Sequence, residues 1–212
     1  MKGIKFGNYH SYDDFSLILS QKTIGAPSPK VEAIAIPGGD GVLDLSEFFG
    51  EVKYNNRNLS FDFSTIIPQA GFLDLFSRIQ NAIHGQKVQI VLDDDPGWYY
   101  IGRVTVPEWK AERNIGKLTI ECDCEPYKMK LTETAVSKAV SGSASIILAN
   151  SRKKVVPVIT TTAEMTISFE GYSGTFSAGT FTIPELELHE GNNTVAVAGT
   201  GNISFRYREG GL

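Results

Sequence analysis

Residues 117–124 read KLTIECDC, and apolar and polar side chains alternate through them without a break. That is the period of a half-buried strand, with Leu118, Ile120, Cys122 and Cys124 on one face and the charged residues on the other. Pro126 has no N–H to offer a ladder and ends the strand. Toward the N-terminus, VQIVLDDD (88–95) and WYYIGRVTV (98–106) flank the turn residues Pro96 and Gly97. This is a hairpin signal whose loop is crowded by Asp93, Asp94 and Asp95. The 21 glycines and 9 prolines of the chain separate short segments rich in Val, Ile, Thr, Phe and Tyr, so the predicted fold class is mainly β.

One segment breaks the pattern. Phe72, Leu75, Phe76, Ile79 and Ile83 follow a helical period, and Gly85 stands where a left-handed residue ends a helix. The spacing predicts a helix over about 69–84, packed by its apolar stripe on a sheet. Upstream, EVKYNNRNLSFDFSTII (51–67) reads as strand, turn, strand, with Asn55, Asn56 and Asn58 in the turn. VEAIAI (31–36) reads as a strand ended by Pro37, followed by a loop that needs Gly38, Gly39 and Gly41.

From Leu131 to about Ser145 the residues become small and polar, so the core of a first domain cannot continue there. The expected domains are therefore 1–130 and 131–212. The second holds six short strand candidates, at 155–161, 165–169, 175–183, 185–188, 194–198 and 203–208. A small β-sandwich is their natural packing.

A formal net charge of −4 and the absence of a basic stripe argue against a protein whose work is to grip nucleic acid. The opening MKGIKFGNYHSYDDF lacks the apolar run of a signal peptide, and no stretch has the length of a membrane span. The chain is expected to be made in the cytoplasm.

No catalytic, cofactor or metal site is predicted. Cys122 and Cys124 read as buried reduced thiols, and His10, His84 and His189 have no ligand spacing. Asp93, Asp94 and Asp95 lack the alternation of a calcium loop. The Gly38–Gly39–Gly41 loop is not followed by the helix that a phosphate cradle requires. Trp98, Tyr99, Tyr100, Trp109 and Tyr172 could stack on sugars or anchor subunits, with packing in a core or interface the better reading for each.

Taken in order, several pieces resemble the distal tail protein family of siphophages. They are Gly3-Ile4 and Phe6-Gly7, IPGGDGVLDL at 36–45, Tyr54 with Asn56 and Arg57, the 72–85 helix, and WYYIGRV at 98–104. CDCEPYK at 122–128, the strand at Pro157, ISFEG at 167–171 and GNNTV at 191–195 complete the series.

The resemblance implies a non-enzymatic structural component of a virion tail, phage or prophage, that forms a homo-hexameric ring. Residues 1–130 would build the ring around a channel for DNA, and 131–212 would form a sandwich similar to galectins or carbohydrate-binding modules. The implied partners are the tail tube protein, a tail-associated lysin or tip protein and a receptor-binding protein, with no membrane contact, and no binding residue is assigned. The alternative is a cell-surface carbohydrate-binding or adhesion module.

Overall fold

The computed structural model describes residues 2–48, 50–65, 67–112 and 115–212. The chain divides into two compact units, Met1–Pro126 and Tyr127–Leu212.

In the first unit the strands are β1 (Ile4–Phe6), β2 (Tyr9–His10), β3 (Ile18–Ile24), β4 (Ala33–Ala35), β5 (Val42–Asp44) and β6 (Arg57–Thr65). A short 3-10 turn, Gln69–Gly71, leads into α1 (Phe72–Ile83). Then follow β7 (Lys87–Leu92), β8 (Trp98–Thr105), β9 (Trp109–Glu112) and β10 (Ile115–Cys124). The main sheet runs β2-β1-β7-β8-β10-β6-β3, every neighbour antiparallel, and Pro107 lies between β8 and β9, which pair in succession along β10.

This sheet curls. Four strand spacings separate β1 from β6, about 19 Å in a flat sheet. Yet the Phe6 ring lies 5.9 Å from that of Phe61 and 6.5 Å from that of Phe63. The two halves of one sheet therefore face each other across a shared core, and Leu75, Ile79 and Ile83 of α1 join the same cluster. The helix ends as the sequence indicates, with Gly85 at φ +75° just beyond it. Cys122 and Cys124 are both buried and unoxidised, side by side on the inner face of β10.

The expected hairpin over 51–67 does not form. Tyr54 instead bridges back to Pro29, and β6 is a single strand held between β3 and β10. The Asn-rich turn signal was real as a chain irregularity, but the partner of β6 is distant in sequence. The 31–36 segment shortens to β4, which pairs with β5 around the predicted glycine loop, where Gly38 and Gly41 adopt φ +74° and +80°.

The second unit contains β11 (Lys128–Lys130), β12 (Thr134–Asn150), β13 (Val158–Thr161), β14 (Met165–Phe169), β15 (Tyr172–Phe176), β16 (Gly179–Thr182), β17 (Gly191–Tyr207) and β18 (Gly210–Gly211). The low-bulk stretch after Leu131, read in the sequence only as the end of the first core, makes most of the long β12. The two candidates at 194–198 and 203–208 are one continuous strand, β17, paired with β12 along its whole length. The 175–183 candidate is split between β15 and β16, and Leu188 contributes only a bridge to Val155. The small residues are there because the hairpin must bend.

β17 pairs with β14 through residues 196–199 and with β13 through 203–206, so its two halves belong to opposite layers of a sandwich. Odd-numbered residues of β17 face the core, and at the bend these are Gly199 and Gly201, at φ +147° and +151°. A Cβ at Gly201 would stand 2.9 Å from Thr162 Oγ1 and 3.2 Å from Ala163 Cβ. In β12 the bend is marked by Gly142, the register partner of Gly199. There Lys138 Nζ donates to the Ser145 carbonyl at 3.0 Å, whereas seven residues of straight strand would span about 23 Å. One core then serves both layers, with Ile159, Ile203 and Phe205 meeting Ile167, Val195 and Val197.

Gly201→Val should cost about 3 kcal/mol, from backbone strain plus collision. Gly142→Ala, where no atom lies within 4 Å of the new Cβ, should lose only about 1 kcal/mol. Urea denaturation of the two variants checks that ranking.

Candidate functional site

The first unit carries one feature that its own fold does not use. Between β3 and β6 the chain leaves the body as a two-stranded ribbon. At its base Asn55 N–H donates to the Ser28 carbonyl at 2.8 Å and Lys30 N–H to the Lys53 carbonyl at 2.7 Å. Midway, Leu45 N–H donates to the Glu32 carbonyl at 2.7 Å and Glu32 N–H to Ser46 Oγ at 3.0 Å. Asp44 accepts from both the hydroxyl and the N–H of Ser46, which holds its carboxyl below the usual carboxylate range.

No residue from 28 to 48 is buried. Val31, Ile34, Ile36, Val42, Leu43 and Phe48 are 47 % to 72 % exposed. An isolated two-stranded hairpin is marginal in water, and this one exposes apolar side chains on both faces, Ile34 and Leu43 as a cross-strand pair on one and Val31 and Val42 on the other, which marks an interaction site. Sequence reasoning placed a strand at 31–36 but missed its exposure, because a short apolar run such as VEAIAI reads the same whether it meets a core or a partner. Two lysines against five carboxylates between Ser28 and Asn55 make the ribbon acidic.

The other residues singled out in the sequence do structural work. Tyr99 and Tyr100 are buried, Trp98 is half-buried, and Trp109 packs on Phe72 and Phe76 at 5.4 and 5.9 Å. Tyr172 packs on the second core. These rings form no exposed platform for a sugar.

The acidic turn fastens neighbouring strands. Asp93 Oδ2 accepts from Gly3 N–H at 2.6 Å and lies 3.1 Å from His10 Nε2. Asp94 pairs with Lys22, whose hydrogen bond holds the carboxyl low. Arg57, buried, donates from Nε to the Gly25 carbonyl at 2.8 Å and lies over the Tyr100 ring.

The titratable groups singled out in the sequence are held in fixed states. Burial, with the charge of neighbouring Asp123 adding to it, pushes the Cys124 thiol up to about 12, and Cys122 is raised further by the same burial, so neither supplies a thiolate at neutral pH. Among the described residues, no three His, Cys, Asp or Glu side chains converge as a metal cage. A cleft of about 420 Å³ on the outer face of the first sheet, lined by Asp62, Ser64, Lys110, Lys117 and Thr119 among others, has its polar groups engaged with one another, Thr119 with Asp62 at 2.7 Å, Ser20 with Ser64 at 3.2 Å and Lys110 with Glu108 at 2.6 Å. It presents no paired nucleophile and base. No helix of the described residues is long and apolar enough to cross a membrane.

No protein-family model matches the chain, and no curated protein matches it in sequence. Among solved structures it is similar to the Dit (gp 19.1) protein of phage SPP1, described as a paradigm of the hub adsorption apparatus in phages infecting Gram-positive bacteria. The match has a TM-score of 0.71 at 14 % identity and covers 98 % of this chain and 99 % of that one. The mainly-β fold expected from the family resemblance is therefore the fold observed, along nearly the whole length.

Glu209 ties the second unit's chain ends together. Burial by itself raises its pKa, but hydrogen bonds from Lys130, Thr134 and Ser151 at 2.8, 2.6 and 2.9 Å outweigh this and hold the carboxyl below 4.5. A depressed carboxylate contributes stability that is present above its unfolded pKa and lost as pH falls through the folded one. The wild-type chain should thus lose stability as the pH drops below about 4.5, and Glu209→Gln should flatten that part of a stability-versus-pH series.

Proposed function

We propose that this chain is a structural component of a phage or prophage tail, a distal tail protein, and that its work is geometric. The observation carrying the reading is the likeness to Dit across 98 % of the chain, both units included. A second observation gives it a mechanism: an apolar ribbon that the first unit makes and does not cover.

A ribbon on one surface that seats on a different surface of the next copy is a heterologous contact, and such contacts close into a ring when their rotation permits. On this reading residues 1–130 build the ring, a homo-hexamer by the family resemblance. The 131–212 sandwich is a platform at the virion's distal end. The tail tube protein stands above, a tail-associated lysin or tip protein and receptor-binding proteins below, and DNA passes through the centre. Outward residues of β6 and β10 carry both signs, Asp62, Glu121 and Asp123 beside Lys117. With a net charge of −4, the chain offers no basic wall for a duplex to stick to.

Absolute mass by light scattering over a concentration series, with negative-stain images, tests the reading. The wild-type chain should form an annulus of about six copies of 23.2 kDa, alone or on adding the tube protein. Ile34→Asp combined with Leu43→Thr, which avoids two like charges at this cross-strand pair, should leave monomers whose own stability changes by less than about 0.5 kcal/mol, because both positions are exposed. A wild-type chain that stays monomeric even with tube protein present would overturn the ring.

A further inference from the structure

Exposed sheet edges invite pairing, and most edges in this fold are guarded against it. β2 has two residues, β9 is short and carries Lys110, and β3 is broken by a bulge between Leu19 and Gln21 and carries Lys22. β15, which ends one side of the second unit's sheet, has five residues with neither a bulge nor a lysine, whereas β16 at the other end has four. Residues 171–184, GYSGTFSAGTFTIP, contain no charged side chain in a chain that is 21 % charged.

The geometry fixes which backbone groups point outward. β14 and β15 are joined by Glu170 and Gly171, at φ +45° and +88°, a two-residue turn of the type that makes Phe169 and Tyr172 a hydrogen-bonded pair. Counting on in twos, Gly174 and Phe176 also bond to β14. Ser173 and Thr175 then sit in the closer, unbonded pairs, which agrees with their hydroxyls lying 2.8 Å from those of Ser168 and Thr166. The N–H and C=O groups of Ser173 and Thr175 consequently face the open edge.

The order of residues along β15, Tyr-Ser-Gly-Thr-Phe, is aromatic, hydroxyl, glycine, hydroxyl, aromatic. An antiparallel copy centred on Gly174 sets Ser173 against Thr175 and Tyr172 against Phe176, in both directions at once. The outward groups of Ser173 and Thr175 form about four main-chain hydrogen bonds, and glycine meets glycine where two strands approach most closely. Cross-strand aromatic pairs stabilise such a ladder, and an uncharged edge meets an uncharged edge without desolvating an ion. We infer that β15 is a docking edge for a second copy of this chain, joined about a two-fold axis at Gly174. A two-fold contact is self-complementary and cannot close a ring, so it links pairs of chains, or two rings, independently of the ribbon.

The register is testable by crosslinking the full-length chain. Ser173→Cys and Thr175→Cys are prepared separately, and both positions are exposed. The native thiols are buried and do not compete. In the paired edge, residue 173 of one copy faces 175 of the other with Cα atoms about 5.5 Å apart, within disulfide range. Mild oxidation of the mixture should give a band at twice 23.2 kDa at least tenfold stronger than either variant gives alone. With circular dichroism confirming folded variants, absence of that band, or equal bands from the single variants, overturns the inference. As a second measurement, Ser173→Lys with Thr175→Glu in the same chain should preserve pairing of the copies, and Ser173→Lys with Thr175→Lys should abolish it.

Discussion

Each unit is built by folding one antiparallel sheet back on itself so that its two halves bury a common face. Everything else follows from where the bend is placed and what it leaves uncovered. In the first unit the curl brings Phe6 against Phe61 and Phe63, strands apart in the ladder, and α1 fills the remaining gap. In the second, a 17-residue strand and its equally long partner turn a corner together, and the corner exists because the inward positions 199 and 201 have no side chains to collide. Beyond the glycines that make it possible, the bend costs little, since the strand ladder is kept through it.

A folded-over sheet spares the chain a second, separate sheet, but leaves edges and excursions to be managed. Most edges are closed by shortness, a bulge or a lysine. The ribbon between β3 and β6 is the opposite case, because its backbone is paired and its side chains are not covered. Its exposure fits an element that is finished only in an assembly, where the apolar surface is removed from water. β15 has satisfied side chains and an unsatisfied backbone edge. The two features ask for different partners: the ribbon for a different surface of a neighbour, and the edge for a strand.

The residues that the sequence singled out are engaged elsewhere. The rings that would stack on a sugar are spent in cores, the thiols are locked in their protonated form, and the acidic turn is occupied in holding β1 and β3. What the molecule offers outward is shape, uncovered apolar surface and a strand edge, all means of holding polypeptides in fixed relation. The likeness to SPP1 Dit is one of fold, at 14 % identity, and does not depend on any single residue.

The local periods of the sequence determined the mainly-β class, the helix and its terminal Gly85, the inward faces of β6 and β10 and the burial of both cysteines, since periodicity and glycine geometry act over a few residues. Which strand lies beside which was decided only in the tertiary structure. Asn55, Asn56 and Asn58 looked like a hairpin turn, yet β6 took its partners from residues far along the chain, because burying Leu59, Phe61 and Phe63 against the curled sheet outweighs a local turn preference. The small residues of 131–145 marked a domain boundary, and formed a strand because β17 supplied a ladder and the bend required little bulk. Val31 and Ile34 could be recognised as strand residues but not as surface, and the short strand of Val42 and Leu43 was not foreseen. Apolar content marks a strand, and only the rest of the fold decides whether anything is there to cover it.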